Sequence, residues 1–420
     1  MTIRLNMTKI FKHDLFIVIF TIFLDALGFA ILFPIMPELL ADPSSPFYLL
    51  PKGSSVQNGY ILLGSILALF PLMIFFSTSI LGQMSDSFGR KKILAYTLLG
   101  TAISYILFAI AILIKSIPLL FVSRAIAGIT SGNLSVASAA IADLTKPADR
   151  AKNFGLIGAA YGIGFIIGPF IGGKLSDPSL VSWFNPSVPF WFAAALSFIN
   201  FFSVQNFFKE TNKFIKEHAL INWTKSIKNI IKVFEMKDLR LLYLTNFLYF
   251  SGFTFFITFM SVFLIDRFNF TQGNIGDFFS YIGLWVAFTQ AVITRQLSKY
   301  FSERQVLKFS LVGGGLAVGL MYFASSWWQL YVFVPMFAIC NGLSFANMAG
   351  LISRSAKENI QGEILGINSS VQALGQLIPP VLSGLIAASF SPGATVITAS
   401  GVILLAGITF MLFYRPLKSS

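Results

Sequence analysis

The chain has 420 residues, of which 55% are hydrophobic and only 11% charged, with a formal net charge of +13. So few polar side chains could not cover the surface of a water-soluble domain of this size. The composition excludes a soluble globular fold and points to an all-α, polytopic membrane protein.

Apolar runs of about 20 residues, the length needed to cross a bilayer, fall at 15–39, 58–82, 93–114, 118–142, 153–175 and 187–208. Six more follow a polar interval, at 241–265, 274–296, 306–325, 328–352, 363–388 and 392–414. The expected organisation is an N-terminal six-helix bundle over 1–208, a linker over 209–240 and a C-terminal six-helix bundle over 241–420.

The first run follows a basic segment but is too long for a signal peptide and lacks a small-residue cleavage site, so it is expected to stay attached. It carries Asp25 ten residues in, roughly 15 Å deep at about 1.5 Å per residue. A carboxylate there costs about 2.5 to 3.5 kcal/mol on insertion scales, so it should face a cavity or a partner. Phe29, one turn later, is a candidate for a substrate cavity wall.

The segment after the second run, GQMSDSFGRKK from Gly82 to Lys92, is expected to be a tight loop. Its charged residues can pair with each other or bind helix ends, which makes Gly82, Asp86, Gly89, Arg90 and Lys91 candidate gate residues, although a basic cluster could also serve only to set topology. In the fourth run, Arg124 lies roughly 9 Å from the end opposite the N-terminus and is the expected partner of Asp25. Burial favours the neutral acid and a guanidinium favours the carboxylate, so such a pair could exchange a proton as a cavity opens. A permanent ion pair locking the first helix to the fourth is the alternative.

The fifth run contains GFIIGPFIGG, from Gly164 to Gly173. Gly164, Gly168, Gly172 and Gly173 let a neighbouring backbone approach closely, and Pro169 removes one internal hydrogen bond, which predicts a close-packed, bendable helix. A shift of 211 residues places Gly155 on Gly366, Gly164 on Gly375, Pro169 on Pro380 and Gly173 on Gly384, so the chain reads as two copies of one unit.

In the linker, Trp223, Ile227, Ile230 and Phe234 recur at helical spacing while Lys225, Lys228 and Lys232 point elsewhere. That pattern fits a helix on an anionic leaflet, a plain connector or a regulatory binding element. Candidate cavity residues in the later runs are Asn246, Gln290, Asn341, Gln372 and Gln376, each of which must find a hydrogen bond away from lipid. Glu38, Asp266 and Asp277 fall near run ends, where hydration makes charge cheap. The single cysteine, Cys340, excludes an internal disulfide.

Twenty-five of the 30 Lys and Arg lie in segments on the side of the N-terminus. The positive-inside rule then places both termini in the cytoplasm, and the excess charge reports topology rather than a nucleic-acid partner. No phosphate-cradling glycine loop, metal-ligand pair or nucleophile near a histidine is present, so an enzyme or ATP-driven pump is not expected and no metal or catalytic residue is assigned.

The loop residues Gly82, Asp86, Gly89, Arg90 and Lys91 resemble the signature between the second and third helices of the major facilitator superfamily. RQLSKYFSERQ, from Arg295 to Gln305, resembles its weaker second copy. Leu120, Arg124 and Gly128 resemble the superfamily's fourth-helix arginine motif, and Asp143 the acidic partner of the loop. GFIIGPFIGG is similar to the fifth-helix motif of its proton-coupled antiporters. LDALGFAILFPIMPELL and IADLTKPADRAKNFG are similar to tetracycline-resistance efflux proteins and their twelve-helix drug:proton relatives, most clearly through residue 175. Those exporters carry a membrane histidine and an aspartate where this chain has Trp285 and the Gly313 to Gly315 region; its own histidines, His13 and His218, fall outside the runs.

The resemblance implies two pseudo-symmetric six-helix bundles in a bacterial inner membrane. It implies a proton-coupled antiporter exporting a small amphiphilic drug, metabolite or siderophore by alternating access, with Asp25 and Arg124 coupling protons. The expected energy source is the proton gradient without a cofactor, and the expected working unit is a monomer. A proton-coupled nutrient importer and a non-transporting membrane receptor or scaffold remain the rival readings.

Overall fold

The computed structural model of the protein describes residues 2–145, 150–212, 221–236, 239–354 and 361–414. Among them, twelve helices are long and apolar enough to cross a membrane. They run His13–Leu40, Val56–Phe88, Arg90–Leu113, Ile117–Leu144, Asn153–Ser176 and Val188–Phe207, then Arg240–Phe268, Gln272–Leu297, Glu303–Phe323, Trp327–Ile352, Gly366–Ser389 and Pro392–Phe413. These are called the first to twelfth spans. His13 lies on the helix of the first span, edge-on to Phe207; His218 lies outside the described residues.

The second span corrects the expected loop at Gly82. Its helix continues to Phe88 and the next begins at Arg90, so the whole turn is Gly89, whose φ of +94° is accessible at little cost only to glycine.

Three spans depart from regular α-helix along their length. The first is interrupted at Ile31, between Thr2–Ala30 and Leu32–Leu40, because Pro34 offers no N–H to the Ala30 carbonyl. The fourth contains a 3₁₀ turn at Ser131–Asn133, where the sequence Ser-Gly-Asn is a poor helix former. The eighth contains a π-helical turn at Thr289–Ile293, where the Thr294 hydroxyl donates to the Thr289 carbonyl at 3.0 Å. Such local departures often mark hinges or binding sites.

The 211-residue repeat is visible as contacts. Gly173 and Gly276 bring the fifth and eighth spans together: a Cβ on Gly173 would lie 2.5 Å from the Gln272 carbonyl oxygen, and one on Gly276 2.5 Å from that of Pro169. Gly384 and Gly64 do the same for the eleventh and second spans, against the Tyr60 and Pro380 carbonyls. Gly164, Gly168 and Gly172 pack on the first-span backbone between Phe23 and Pro34, and Gly375 packs on the seventh at Phe247 to Ser251.

Among the described residues, the apolar clusters shared by the two sets of six spans lie toward the face opposite the termini. One apolar cluster there combines Leu39, Leu40, Tyr60 and Leu63 with Phe259, Val262 and Ala387; another combines Ala30 and Phe33 with Phe256, Phe279 and Ile282. The Phe33 and Phe279 rings meet across the seam at 5.0 Å, and Lys174 Nζ pairs with Asp277 Oδ2 at 2.9 Å. Toward the termini the clusters are separate, one drawn only from the first six spans and the other from the last six with the linker. On that side Gly155, Gly158 and Gly162 meet nothing among the described residues within 4 Å of an added Cβ.

Candidate functional site

Asp25 is 6% exposed, and neither of its carboxylate oxygens has a hydrogen-bond partner among the described residues. The Asn133 side chain faces it from the 3₁₀ turn of the fourth span without reaching hydrogen-bond geometry, and its own amide is equally unpartnered. The Tyr105 and Tyr161 hydroxyls, from the third and fifth spans, lie close enough to feel its charge. Three neighbouring spans thus present polar groups to one acid, which a proton or a water could bridge.

The expected Asp25–Arg124 ion pair is not formed. Along the helices, Asp25 lies about 22 Å from the face opposite the termini, and Arg124 only about 10 Å, at roughly 1.5 Å per residue. That gap exceeds an arginine's reach. Arg124 is instead 1% exposed, with its guanidinium 5.0 Å from the Phe108 ring and 5.5 Å from that of Phe70. Cation–π attraction is worth about 2 kcal/mol when desolvated, and it replaces hydrogen bonds that Nε and Nη2 do not make. Tyr105 lies between the two charges, with its hydroxyl against Gly28, one turn beyond Asp25.

Phe29 stacks on Phe70 at 5.3 Å and touches Phe33 and Phe165. It joins the ring cluster that lines the site below Arg124. The later candidates divide into two kinds. Asn246 is fully buried and donates to Asn368 at 2.7 Å, and Asn341 accepts from the Tyr249 hydroxyl, so both tie helices together. Gln290, in the π turn, and Gln372 and Gln376, one turn apart, are half-buried and make no hydrogen bond to another described residue.

At the face bearing the termini, Asp86 and Asp143 both reach Arg90, at 2.6 Å and 3.3 Å, and Ser85 accepts from it as well. Gly82 packs near Ser135 of the fourth span. Sequence reasoning missed Glu210. Its carboxylate accepts from the backbone N–H groups of Arg90 and Lys91 at 2.9 Å and 3.1 Å, filling the space beside Gly89. The Lys91 contribution is thus its backbone. A helix N-terminus offers unpaired donors and partial positive charge, which an acidic side chain satisfies. Asn212 and Thr211 continue the tie, to the Asp86 carbonyl and to Asp143. Asn133, Tyr105 and Tyr161 were also missed; only the helix-breaking Ser-Gly-Asn stretch hinted at the first.

The model of the Major Facilitator Superfamily matches residues 18–295 and 242–420. The chain is 30% identical over 387 residues to the tetracycline resistance protein, class H, of Pasteurella multocida, covering 88% of each. It is 28% identical over 390 residues to the quinolone resistance protein NorA of Staphylococcus aureus, covering 89% of each. Among solved structures it resembles the human organic anion transporter MFSD10 (TETRAN), with a TM-score of 0.70, 23% identity and coverage of 95% of this chain and 99% of that one. It also resembles a D-xylose-proton symporter, with a TM-score of 0.77 at 14% identity and coverage of 96% and 98%. The likeness extends over both sets of six spans, well beyond residue 175.

Proposed function

Because the chain belongs to the Major Facilitator Superfamily, whose members are membrane transporters, we propose that it is a proton-coupled antiporter exporting a small amphiphilic molecule by alternating access. The working unit is a monomer in a bacterial inner membrane, with both termini cytoplasmic. The observation that carries the reading is Asp25, a mid-membrane acid with no hydrogen-bond partner among the described residues. A buried carboxylate kept in that condition is expensive unless its protonation is used.

With the termini in the cytoplasm, the entrance for solute lies on that side, between the two separate apolar clusters. Solute entering it meets the Phe29 ring cluster and the uncommitted amides of Gln290, Gln372 and Gln376. The Asp25 carboxylic acid releases its proton to the cytoplasm as solute binds, and regains one from outside after the molecule opens there and the solute leaves. Arg124 acts on Asp25 through Tyr105 rather than by contact. The resistance proteins among the relatives support export of drug-like solutes, and siderophores or metabolites share the same amphiphilic chemistry.

Proton release from purified protein on addition of lipophilic drugs and iron chelators tests this reading, for the native chain and for Asp25→Asn. Release from the native protein but not from the variant is expected. Undiminished release from Asp25→Asn would move coupling to another group. In proteoliposomes, solute accumulated rather than expelled by an imposed inward proton gradient would establish the importer instead.

A further inference from the structure

The linker contains the helix Lys225–Glu235, which lies across the seam between the second and eleventh spans on the face of the termini. The Ser226 hydroxyl, 2% exposed, donates to the Phe75 carbonyl at 2.6 Å and pairs with the Ser79 hydroxyl at 2.8 Å, both in the second span. The Asn229 amide donates to the Ser370 hydroxyl of the eleventh span at 3.2 Å. Ile230 and Val233 pack on the apolar cluster of the last six spans. With about 100° between successive residues, these four form one flank.

A second flank is left uncovered. Trp223, Ile227, Ile231 and Phe234 are 66%, 45%, 55% and 76% exposed. Lys225, Lys228 and Lys232 follow around the helix, all exposed. An apolar arc bordered by lysines suits the boundary between lipid headgroups and acyl chains.

Depth identifies the occupant as the bilayer. From Val56 to Ser79 is 23 residues, about 35 Å of helix, and from Ser389 back to Ser370 is 19 residues, about 29 Å. Both are measured from the opposite face, and a hydrocarbon layer is about 30 Å thick. The two docking points therefore sit where that layer ends. The apolar flank lies at headgroup depth, where a soluble partner would have to displace lipid to reach it.

We propose that this helix is anchored in an anionic leaflet, with the Trp223, Ile227, Ile231 and Phe234 flank inserted at the acyl boundary and the three lysines meeting lipid phosphates. The full-length chain bearing Cys340→Ser and Ile227→Cys, labelled with an environment-sensitive fluorophore in nanodiscs, provides the test. Phe309→Cys, at a residue 71% exposed on the ninth span, serves as the embedded control.

In nanodiscs of brominated phosphatidylglycerol, the Ile227 label is expected to be quenched as the control is, and to be shielded from aqueous iodide. Lys225→Gln, Lys228→Gln and Lys232→Gln combined should reduce that quenching to the level seen in brominated phosphatidylcholine, because lysines beside an anionic surface are drawn to it. Iodide quenching in every lipid, with the control still embedded, would show a plain solvated connector and overturn the proposal. Shielding from both iodide and bromine would overturn it in favour of a second copy or a protein partner. None of these readings depends on transport, so the antiporter reading stands or falls separately.

Discussion

The seam between the fifth and eighth spans and the seam between the eleventh and second are the same contact made twice. Gly173 meets Gly276 in one and Gly384 meets Gly64 in the other, with Gly276 against the Pro169 carbonyl and Gly64 against that of Pro380. The additions differ. The first seam carries the Lys174–Asp277 ion pair and a hydrogen bond from the Ser280 hydroxyl to the Ile166 carbonyl at 2.8 Å. The second has the linker helix docked over its far end. Backbone-to-backbone approach has no substitute for glycine, so both copies keep it; polar contacts can be added locally, and they make the two seams unequal.

Filling a seam should have the largest effect. Gly64→Leu and Gly276→Leu each place a side chain on a neighbouring backbone that cannot rotate away. Overpacking of this kind costs about 1 to 3 kcal/mol, so closure of the face opposite the termini should weaken roughly five- to 150-fold. Spin labels at Ser54 and Ser391, beside the second and eleventh spans, should move apart in Gly64→Leu. Labels at Asp177 and Thr271 should do the same in Gly276→Leu. Opening of one seam without the other would show that the duplicated contacts are not equivalent.

A smaller effect sharpens the comparison at the other end of the repeat. Gly89 and Ser302 occupy corresponding positions before the third and ninth spans. Ser302 caps its own helix, with its hydroxyl accepting from the Gln305 N–H at 3.4 Å and the Gln305 side chain accepting in return from the Ser302 N–H at 3.0 Å. Gly89 has no side chain to offer, and Glu210 caps from a distance of 120 residues in sequence. Glu210→Ala should cost about 1 kcal/mol, and up to about 2, as lost caps do. Hydrogen exchange at Arg90 and Lys91 should accelerate accordingly, whereas Ser302→Ala should leave those two amides unchanged.

The twelve spans were legible because lipid demands one thing of every segment, and the repeat was legible because close approach demands glycine. The site was legible in its residue types and not in its geometry. Asp25 and Arg124 look like partners when helices are drawn as straight rods of uncertain depth. The interruption at Ile31, the 3₁₀ turn at Ser131–Asn133 and the aromatic cage around the guanidinium place them apart. Glu210 was invisible for a different reason: a remote cap leaves no local pattern, only a glycine where a capping side chain would otherwise stand.

The smallest expected effect is at the ion pair. The Lys174 and Asp277 side chains are 33% and 43% exposed, so solvent screens them and the pair should contribute about 0.2 to 1 kcal/mol. Lys174→Gln should therefore lengthen the Asp177 to Thr271 label distance in a few-fold larger fraction of molecules, well short of Gly276→Leu. Salt separates the two causes. Raising ionic strength to about 1 M shortens the screening length to about 3 Å, so the native protein should approach Lys174→Gln, while Gly64→Leu and Gly276→Leu should not respond. The swapped pair Lys174→Asp with Asp277→Lys should recover the native distribution at low salt, since the attraction depends on opposite charge and not on which span supplies it. If the swap fails while the single variant opens the seam, the Lys174 ammonium over the Phe170 ring, 5.7 Å from its centre, rather than its pairing with Asp277, is what makes the first seam different from the second.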